Sequence, residues 1–584
     1  MKRWVMEWWW AGVCIGLLGI YAVMAWSAVS GKSATYDEPL EVVSGWAAGS
    51  LGDYRVDYEH PPLWKKWAWI GNWGKKVNVD LGSKYWTGIG EDSRNKWYLT
   101  HEVMYGGANE PHGLVRGMRG MMLLVAVMCG AAIGWWAWRL GGKVAAIVAV
   151  GLFAFDPGFL GHGPLVKNDV AMALLTVAVM ALTWSLGKRF TWSKVAGLGV
   201  LCGMALVVKL SALVLGPIVG GVLIGKAVLG KDWRAVRRFS LALGVIFCLA
   251  MGMVWATYGF RYAASPRGTP RIDMNEIVRA MAQRTYRAEQ GRVPTEAEIA
   301  AWDPGMLGKA VMKLNEWKAL PEAWLAGVLF TERTAVGEDA YLNGKKYYGG
   351  KWYYYLEAIA VKTPMGVLMG VLLAVGWSLR RRQKDGWAMV CLGVPAAVLL
   401  GSAMGANLNL GVRYVLPVYA LGFVWLGVAA SNVWGSRAGK IAVTALGILV
   451  IGEVVSAYPN FIAFFNGASG GNRGGLALLG DSNLDWGQDL PAVAEWQKRH
   501  PDADLFLGYF GTEDPASWGI RYHNLPGGYM FGPEVTWPTN NAYILVGATN
   551  LQGIYFKQDL YESFRRRAPE EVLEGTIYVY QLVK

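Results

Sequence analysis

Chemistry in this chain has to come from a few clusters of ionisable residues. The first is Thr35-Tyr36-Asp37-Glu38-Pro39, directly after an apolar run. A carboxylate can take a proton from a hydroxyl, although two acids at a helix exit also suit a solvated membrane flank. About twenty residues later comes Tyr58-Glu59-His60-Pro61-Pro62-Leu63-Trp64-Lys65-Lys66. Its Pro-Pro pair fixes the backbone between an acid–imidazole pair and two lysines. The third cluster is Phe155-Asp156-Pro157, Gly161-His162-Gly163 and Asn168-Asp169, which brackets one short turn. Ionisable residues at such depths are costly and are functional candidates. The six histidines (His60, His101, His112, His162, His500, His523) all fall between apolar runs. Avoidance of hydrocarbon by histidine accounts for most of that pattern.

These clusters hang on a membrane scaffold. Of 584 residues 54% are hydrophobic and 17% charged, against about 25% charged in soluble chains. Runs such as Gly117–Trp138 and Leu241–Tyr258 are nearly free of charge and long enough to cross a hydrocarbon layer of about 30 Å. The sequence predicts a polytopic α-helical membrane protein with about eleven spans. They lie near 8–29, 117–138, 144–161, 169–187, 195–208, 210–226, 239–259, 354–379, 386–404, 411–431 and 440–457.

With the N-terminus in the cytoplasm, every inside loop is basic, as the positive-inside rule requires. The inside set is Lys2/Arg3, Arg139/Lys143, Lys188/Arg189/Lys194, Lys226/Lys231/Arg234/Arg237/Arg238, Arg380/Arg381/Arg382/Lys384 and Arg437/Lys440. The short outside turns near 162–168 and 405–411 hold at most one Lys each. Three large outer segments result: 30–116, 260–353 and the tail from about 458. The tail shows apolar stretches at Leu505–Tyr509, Ala542–Val546 and Thr576–Leu582 and an amphipathic helix near Leu490–Gln497. The chain therefore divides into a membrane domain, 1–457, and a C-terminal mixed α/β outer domain, 458–584, long enough for its own core.

The net charge of +13 lies in the short loops between apolar runs, where it orients the chain, and does not indicate nucleic acid. The five cysteines (Cys14, Cys129, Cys202, Cys248, Cys391) all lie inside apolar runs without a CxxC pair. They support neither a disulfide framework nor a zinc knuckle. The first run, Trp8–Val29, exceeds the apolar core of a signal peptide and reads as a retained span. The chain has no Asn-x-Ser/Thr sequon, which fits a bacterial plasma (inner) membrane.

Taken in order, the three clusters resemble the glycosyltransferases that include protein O-mannosyltransferases (family 39) and lipid A aminoarabinose transferases. Further matches are Lys209-Leu210-Ser211-Ala212, Lys362-Thr363-Pro364, Gly411-Val412-Arg413-Tyr414-Val415-Leu416-Pro417 and Asp481-Ser482-Asn483-Leu484-Asp485-Trp486-Gly487-Gln488-Asp489-Leu490. The matching stretches cover residues 35 to 520. The resemblance implies a GT-C-type fold and a polyprenyl- or dolichyl-phosphate sugar as donor. It puts Asp37 in the role of base toward the acceptor hydroxyl, with Glu38 supporting the acceptor or the loop, and implies inversion at the anomeric carbon. Arg413, Lys209, Lys362 and His60 become candidates for the donor phosphate. Snorkelling to the interface is the competing reading for the long cations. His60 before Pro-Pro leans toward the mannosyltransferase branch. Glu59, His162, Asp169 and Asp485 are candidates for positioning sugar or acceptor. Asp169, His162 and Glu59 could hold a divalent cation, in a spacing that is no recognised ligand motif. Asp485, with Trp486 and Gln488, could equally be a structural edge.

The expected partners are a polyprenyl-phosphate sugar, an acceptor of undefined class (protein, lipid or glycan) and the bilayer. Two other classes remain: a transporter or lipid flippase, and a non-catalytic sensor or assembly protein. Transporters place ionisable residues near the midplane, whereas the acids here cluster in outer loops. Eleven spans are excessive for an anchor.

Overall fold

The computed structural model describes residues 2–90, 92, 94–268, 270–380, 385–539 and 541–582. Arg381, Arg382 and Lys384 of the expected basic loop lie outside them. Among the described residues eight helices are long and apolar enough to span a membrane, or nine if a bent pair counts as one span. Their outward faces carry large exposed apolar side chains, such as Ile15, Val23, Leu241, Phe247, Leu372 and Ile448. Contiguous apolar surface on this scale needs a hydrocarbon solvent. This is a multi-pass membrane protein.

Three expected spans differ in form. Pro111–Ala154 is one 44-residue helical run, divided at Gly142, where φ is +75° and ψ −160°. This break separates the expected spans 117–138 and 144–161. The second stops early, because Asp156 caps a new short helix, Pro157–His162: its carboxylate accepts the Phe159 N–H at 2.9 Å, with Pro157 in the first turn. The expected span 354–379 is two helices, Tyr354–Lys362 and Met365–Ser378, bent by 115°. Pro364 causes the break. It forces Thr363 into extended backbone (φ −93°, ψ 133°) and cannot continue the first helix's hydrogen bonds. Glu453 then accepts the Met365 N–H at 2.6 Å and restarts the helix. The expected span 195–208 appears as the 15-residue helix Trp192–Leu206, too short to cross unaided.

Three of the loops expected on the inside meet at one end of the helices. Lys188 pairs with Asp385 at 2.6 Å, and Lys226 donates to the Gly187 carbonyl. At the opposite end Asp169, Lys209 and Arg413 meet.

The tail forms a five-stranded sheet, after a separate hairpin, β1 (Asp339–Leu342) and β2 (Lys345–Tyr348). Its strands are β3 (Leu505–Gly508), β4 (His523–Asn524), β5 (Ala542–Gly547), β6 (Glu571–Leu573) and β7 (Ile577–Leu582), in the order β4-β3-β5-β7-β6. β3 runs parallel to β4 and β5, while β7 is antiparallel to β5 and β6. Alternation sends Leu505, Leu507, Leu545 and Val579 to one face, against Leu490, Val493 and Trp496 of the helix Leu490–Arg499. Phe506, Ile544, Val546 and Tyr578 face the other way, into a core shared with Tyr354, Tyr355, Val412 and Val415 beside the membrane helices. Both faces of the sheet are buried.

Candidate functional site

Asp37 stands at the N-cap of the helix Glu38–Trp46, yet its carboxylate makes no cap hydrogen bond. Glu38 takes over that work. Its Oε2 accepts the Thr35 N–H at 2.8 Å and the Thr35 hydroxyl at 3.1 Å, while Oε1 accepts the Val166 N–H at 2.9 Å. The Arg119 guanidinium grips both oxygens. Although burial opposes the charged form, Arg119 and these hydrogen bonds hold Glu38 below the ordinary carboxyl range. Its lone pairs are all used. Of the roles expected for Glu38 the geometry supports the loop: it positions the loop and is too fully bonded to act as a second catalytic acid, while Asp37 is left without a cap bond.

Asp37 is 27% exposed and lies 3.1 Å from the Lys167 ammonium, which also reaches Glu41 at 3.3 Å. Burial weakens the Lys167 charge, but Asp37 and Glu41 outweigh it and push its titration upward. Glu41 contacts Lys65 at 3.1 Å and His60 at 3.0 Å. Asp57 contacts His60 at 3.2 Å and also pairs with Lys65. Burial and Lys167 disfavour a charged imidazole, but Glu41 and Asp57 carry His60 up to about 9. It is an imidazolium at neutral pH. Against burial, Lys65 and His60 bring Glu41 down to about 2.

A second ion group faces the first. Asp169, in the first turn of the helix Asp169–Lys188, binds Lys209 at 2.6 Å and Arg413 at 3.3 Å. Arg413 lies over the Trp486 ring at 4.4 Å and donates to the Ser482 hydroxyl at 3.2 Å. Lys209 lies over Tyr414 at 4.4 Å. Gly411 makes the approach possible. Its φ of +113° disfavours other residues, and a Cβ there would lie 2.7 Å from Ser482 Oγ. Arg413 lies over the Trp486 ring, and the Trp486 carbonyl accepts the N–H of Tyr36, next to Asp37, at 2.9 Å, so both groups border one cleft.

The structure ties up Lys362 and Asp485 elsewhere and puts Glu59 and His162 at the edges of this cleft. Lys362 is buried and donates to the carbonyls of Ile462 (2.8 Å) and Asn483 (2.7 Å), with its charge over Phe465. It fastens backbone and is not placed to hold phosphate. Asp485 accepts the N–H groups of Gly487 and Thr549, both at 3.1 Å, inside the tail domain. It is the structural edge, and Asp481 is the acid of that segment which faces the cleft. Glu59 pairs with Lys96 at 3.4 Å at the periphery. His162 stands edge-on to Trp486. Burial, with the charges of Arg413 and Lys362, lowers it to about 3 and keeps it neutral.

Asp169, His162 and Glu59 are therefore not gathered around a common point, as a shared cation would need. Among the described residues the one group with suitable geometry is Glu41, Asp57 and His60, whose ligand atoms lie within 4.8 Å of one another. Lys65 bonds both carboxylates of that group. A divalent ion there would have to displace the Lys65 ammonium from both acids.

Sequence reasoning missed Glu41, Asp57, Lys65 and Lys167. Glu41 had a signal, since it lies one helical turn after Asp37 and shares its face.

No protein-family model matches the sequence, and no curated protein matches it. Among solved structures the chain is similar to ArnT from Cupriavidus metallidurans bound to undecaprenyl phosphate, with 12% identity, 98% of each chain covered and a TM-score of 0.46. It is also similar to the oligosaccharyltransferase AglB of Archaeoglobus fulgidus in complex with an inhibitory peptide and a dolichol-phosphate. That likeness has 13% identity and a TM-score of 0.39, over 88% of this chain and 65% of that one. An oligosaccharyltransferase of the same organism, tethered with an acceptor peptide, gives 12% identity and a TM-score of 0.39, over 77% and 56%.

Proposed function

We propose that this membrane protein is an inverting GT-C-type glycosyltransferase. It moves a sugar from a polyprenyl-phosphate carrier to an acceptor hydroxyl on a protein, lipid or glycan, at the outer side of a bacterial plasma membrane. The observation that carries the reading is a partly exposed carboxylate, Asp37, sharing one cleft with the Arg413–Lys209 pair.

Asp37 accepts the acceptor's proton as the acceptor oxygen attacks the anomeric carbon. The bond from that carbon to the phosphate oxygen breaks, and its electron pair leaves with the polyprenyl phosphate. Arg413 can grip the phosphate through two parallel N–H bonds, and Lys209 adds a point charge. Their anchorage on Asp169 fixes both before the substrate arrives, the form of electrostatic help that needs no reorganisation. Lys167 orients Asp37, and the His60 charge lies behind it. One displacement inverts the anomeric centre.

The observation that favours a transporter is the 115° break after Lys362, since broken helices line transporter sites. The Lys362 ammonium there is already bonded to the Ile462 and Asn483 carbonyls, so that cation serves the fold and not a cargo.

The test uses purified protein in detergent, a panel of polyprenyl-phosphate sugars and membrane extract as acceptor source. Release of polyprenyl phosphate is read by mass spectrometry. Asp37→Asn should lose about 10²–10⁴-fold in turnover with an unchanged melting temperature. Equal turnover by the variant removes Asp37 as base. A wild type that neither binds nor turns over any donor sinks the transferase reading.

A further inference from the structure

The chemistry above uses the membrane side of the cleft and leaves the tail domain's wall without a task. That wall is aromatic. Tyr36, next to Asp37, stacks on Phe510 at 5.0 Å and 24°, and Phe510 stacks on Tyr555 at 5.4 Å and 11°. The Phe510 ring is covered on both faces. Tyr555 ends the stack and is 40% exposed.

The Tyr555 hydroxyl donates to Asp481 Oδ2, and the Ser482 N–H bonds the other carboxylate oxygen. Asp481 has φ +54°, a conformation uncommon outside glycine and found where surrounding structure enforces it. Gly480 before it has no room for a Cβ against Gln552. The carboxylate is thus aimed by backbone and by a neighbouring ring. Burial, with the charge of Asp37, raises Asp481 above the ordinary carboxyl value, against Tyr555 and Arg413.

We propose that Tyr555 and Asp481 form the subsite for the transferred sugar ring. The Tyr555 ring takes the apolar C–H face of a pyranose, and Asp481 accepts hydrogen bonds from its hydroxyls. The inference rests on the transferase reading. If phosphate lies at Arg413 and the base is Asp37, the anomeric carbon lies between them, and the rest of the ring meets whatever borders both. Asp481 does: its neighbour Ser482 accepts the Arg413 hydrogen bond, and its partner Tyr555 belongs to the stack that begins at Tyr36, beside Asp37. An aromatic face beside a fixed acceptor matches a sugar, which has one apolar face and a rim of donors. The chemistry assigns this wall to the donor's sugar, and not to its phosphate or prenyl chain.

The test compares binding of bare undecaprenyl phosphate with that of undecaprenyl-phosphate hexoses to the full-length protein, by tryptophan-fluorescence titration. Tyr555→Ala should weaken the sugar-bearing lipid about tenfold and leave the bare phosphate within about twofold. Asp481→Asn should show the same selective loss, and Tyr555→Phe, which keeps the ring, a smaller one. Unchanged affinity for every hexose lipid in Tyr555→Ala overturns the subsite. Equal weakening of both lipids also overturns it, by making Tyr555 structural, and Tyr555→Phe checks this if the alanine variant folds poorly. A wild type that binds neither lipid defeats the transferase reading itself. A wild type that binds bare phosphate but gains nothing from any sugar defeats the subsite alone.

Discussion

At His60, charge outweighs burial and sets the protonation state. Glu41 and Asp57 move the ring from 6.5 to about 9, so the folded protein holds the proton more tightly than the unfolded chain. For a raised value the stabilisation is fully present below about 6.5 and is lost as pH rises through about 9. The wild-type melting temperature in detergent should fall across that window. In His60→Gln the fall should be shallower; equal slopes would show that other groups set the alkaline limit. Asp37, Asp169 and Arg413, which the fold brings near one another, were singled out in the sequence because ordered motifs carry them; His60, expected at the donor phosphate, pairs instead with Glu41 and Asp57. Lys167 was not singled out, because it matters through partners far away in sequence: it meets Asp37 and Glu41 across more than one hundred residues. Asp485 and Lys362 misled for the converse reason. Their types suit the chemistry, while carbonyl and amide partners in the tail take up their polar atoms.

Between elements, Arg119 does the joining. Its guanidinium binds Glu38 and donates to the carbonyls of Val29 (2.7 Å), Lys32 (3.1 Å) and Ser33 (2.8 Å), at and beyond the end of the first helix. Carbonyls at a helix end lack intrahelical partners, so this one residue both closes the helix and aims the loop that carries Asp37. Arg119→Met should destabilise by about 3–5 kcal/mol, because it strands a buried carboxylate. The double variant with Glu38→Gln should recover part of that loss in thermal melts. No recovery would mean that the carbonyl bonds, and not the ion pair, carry the cost. The spans themselves were readable because apolarity is local to each run. The break at Gly142 falls in the loop expected between two spans, but that at Pro364 was not readable, since a hydropathy pattern averages over a single residue whose effect is on the backbone.

Across the whole molecule, residues 481–490 fasten three parts together. Ser482 and Trp486 hold Arg413, Asn483 accepts the Val412 N–H at 3.0 Å, and the Trp486 and Gln488 carbonyls accept the Tyr36 and Ser33 N–H groups. Asp489 binds Lys32 at 2.5 Å and the Thr576 hydroxyl at 2.6 Å. Because the sheet also shares a core with the membrane helices, the tail should not melt alone. Tryptophan fluorescence and hydrogen exchange in β5 should report one coincident thermal transition. An earlier, separate transition in β5 would show an independent domain.

The Lys32–Asp489 pair, with Glu574 at 3.1 Å from the same ammonium, also sets an order in time. The loop that carries Asp37 precedes, in chain order, residues that fix it. A nascent chain with every span inserted still lacks Asp489 and Glu574, so Lys32 at the head of that loop gains its ion pairs only after both have been made.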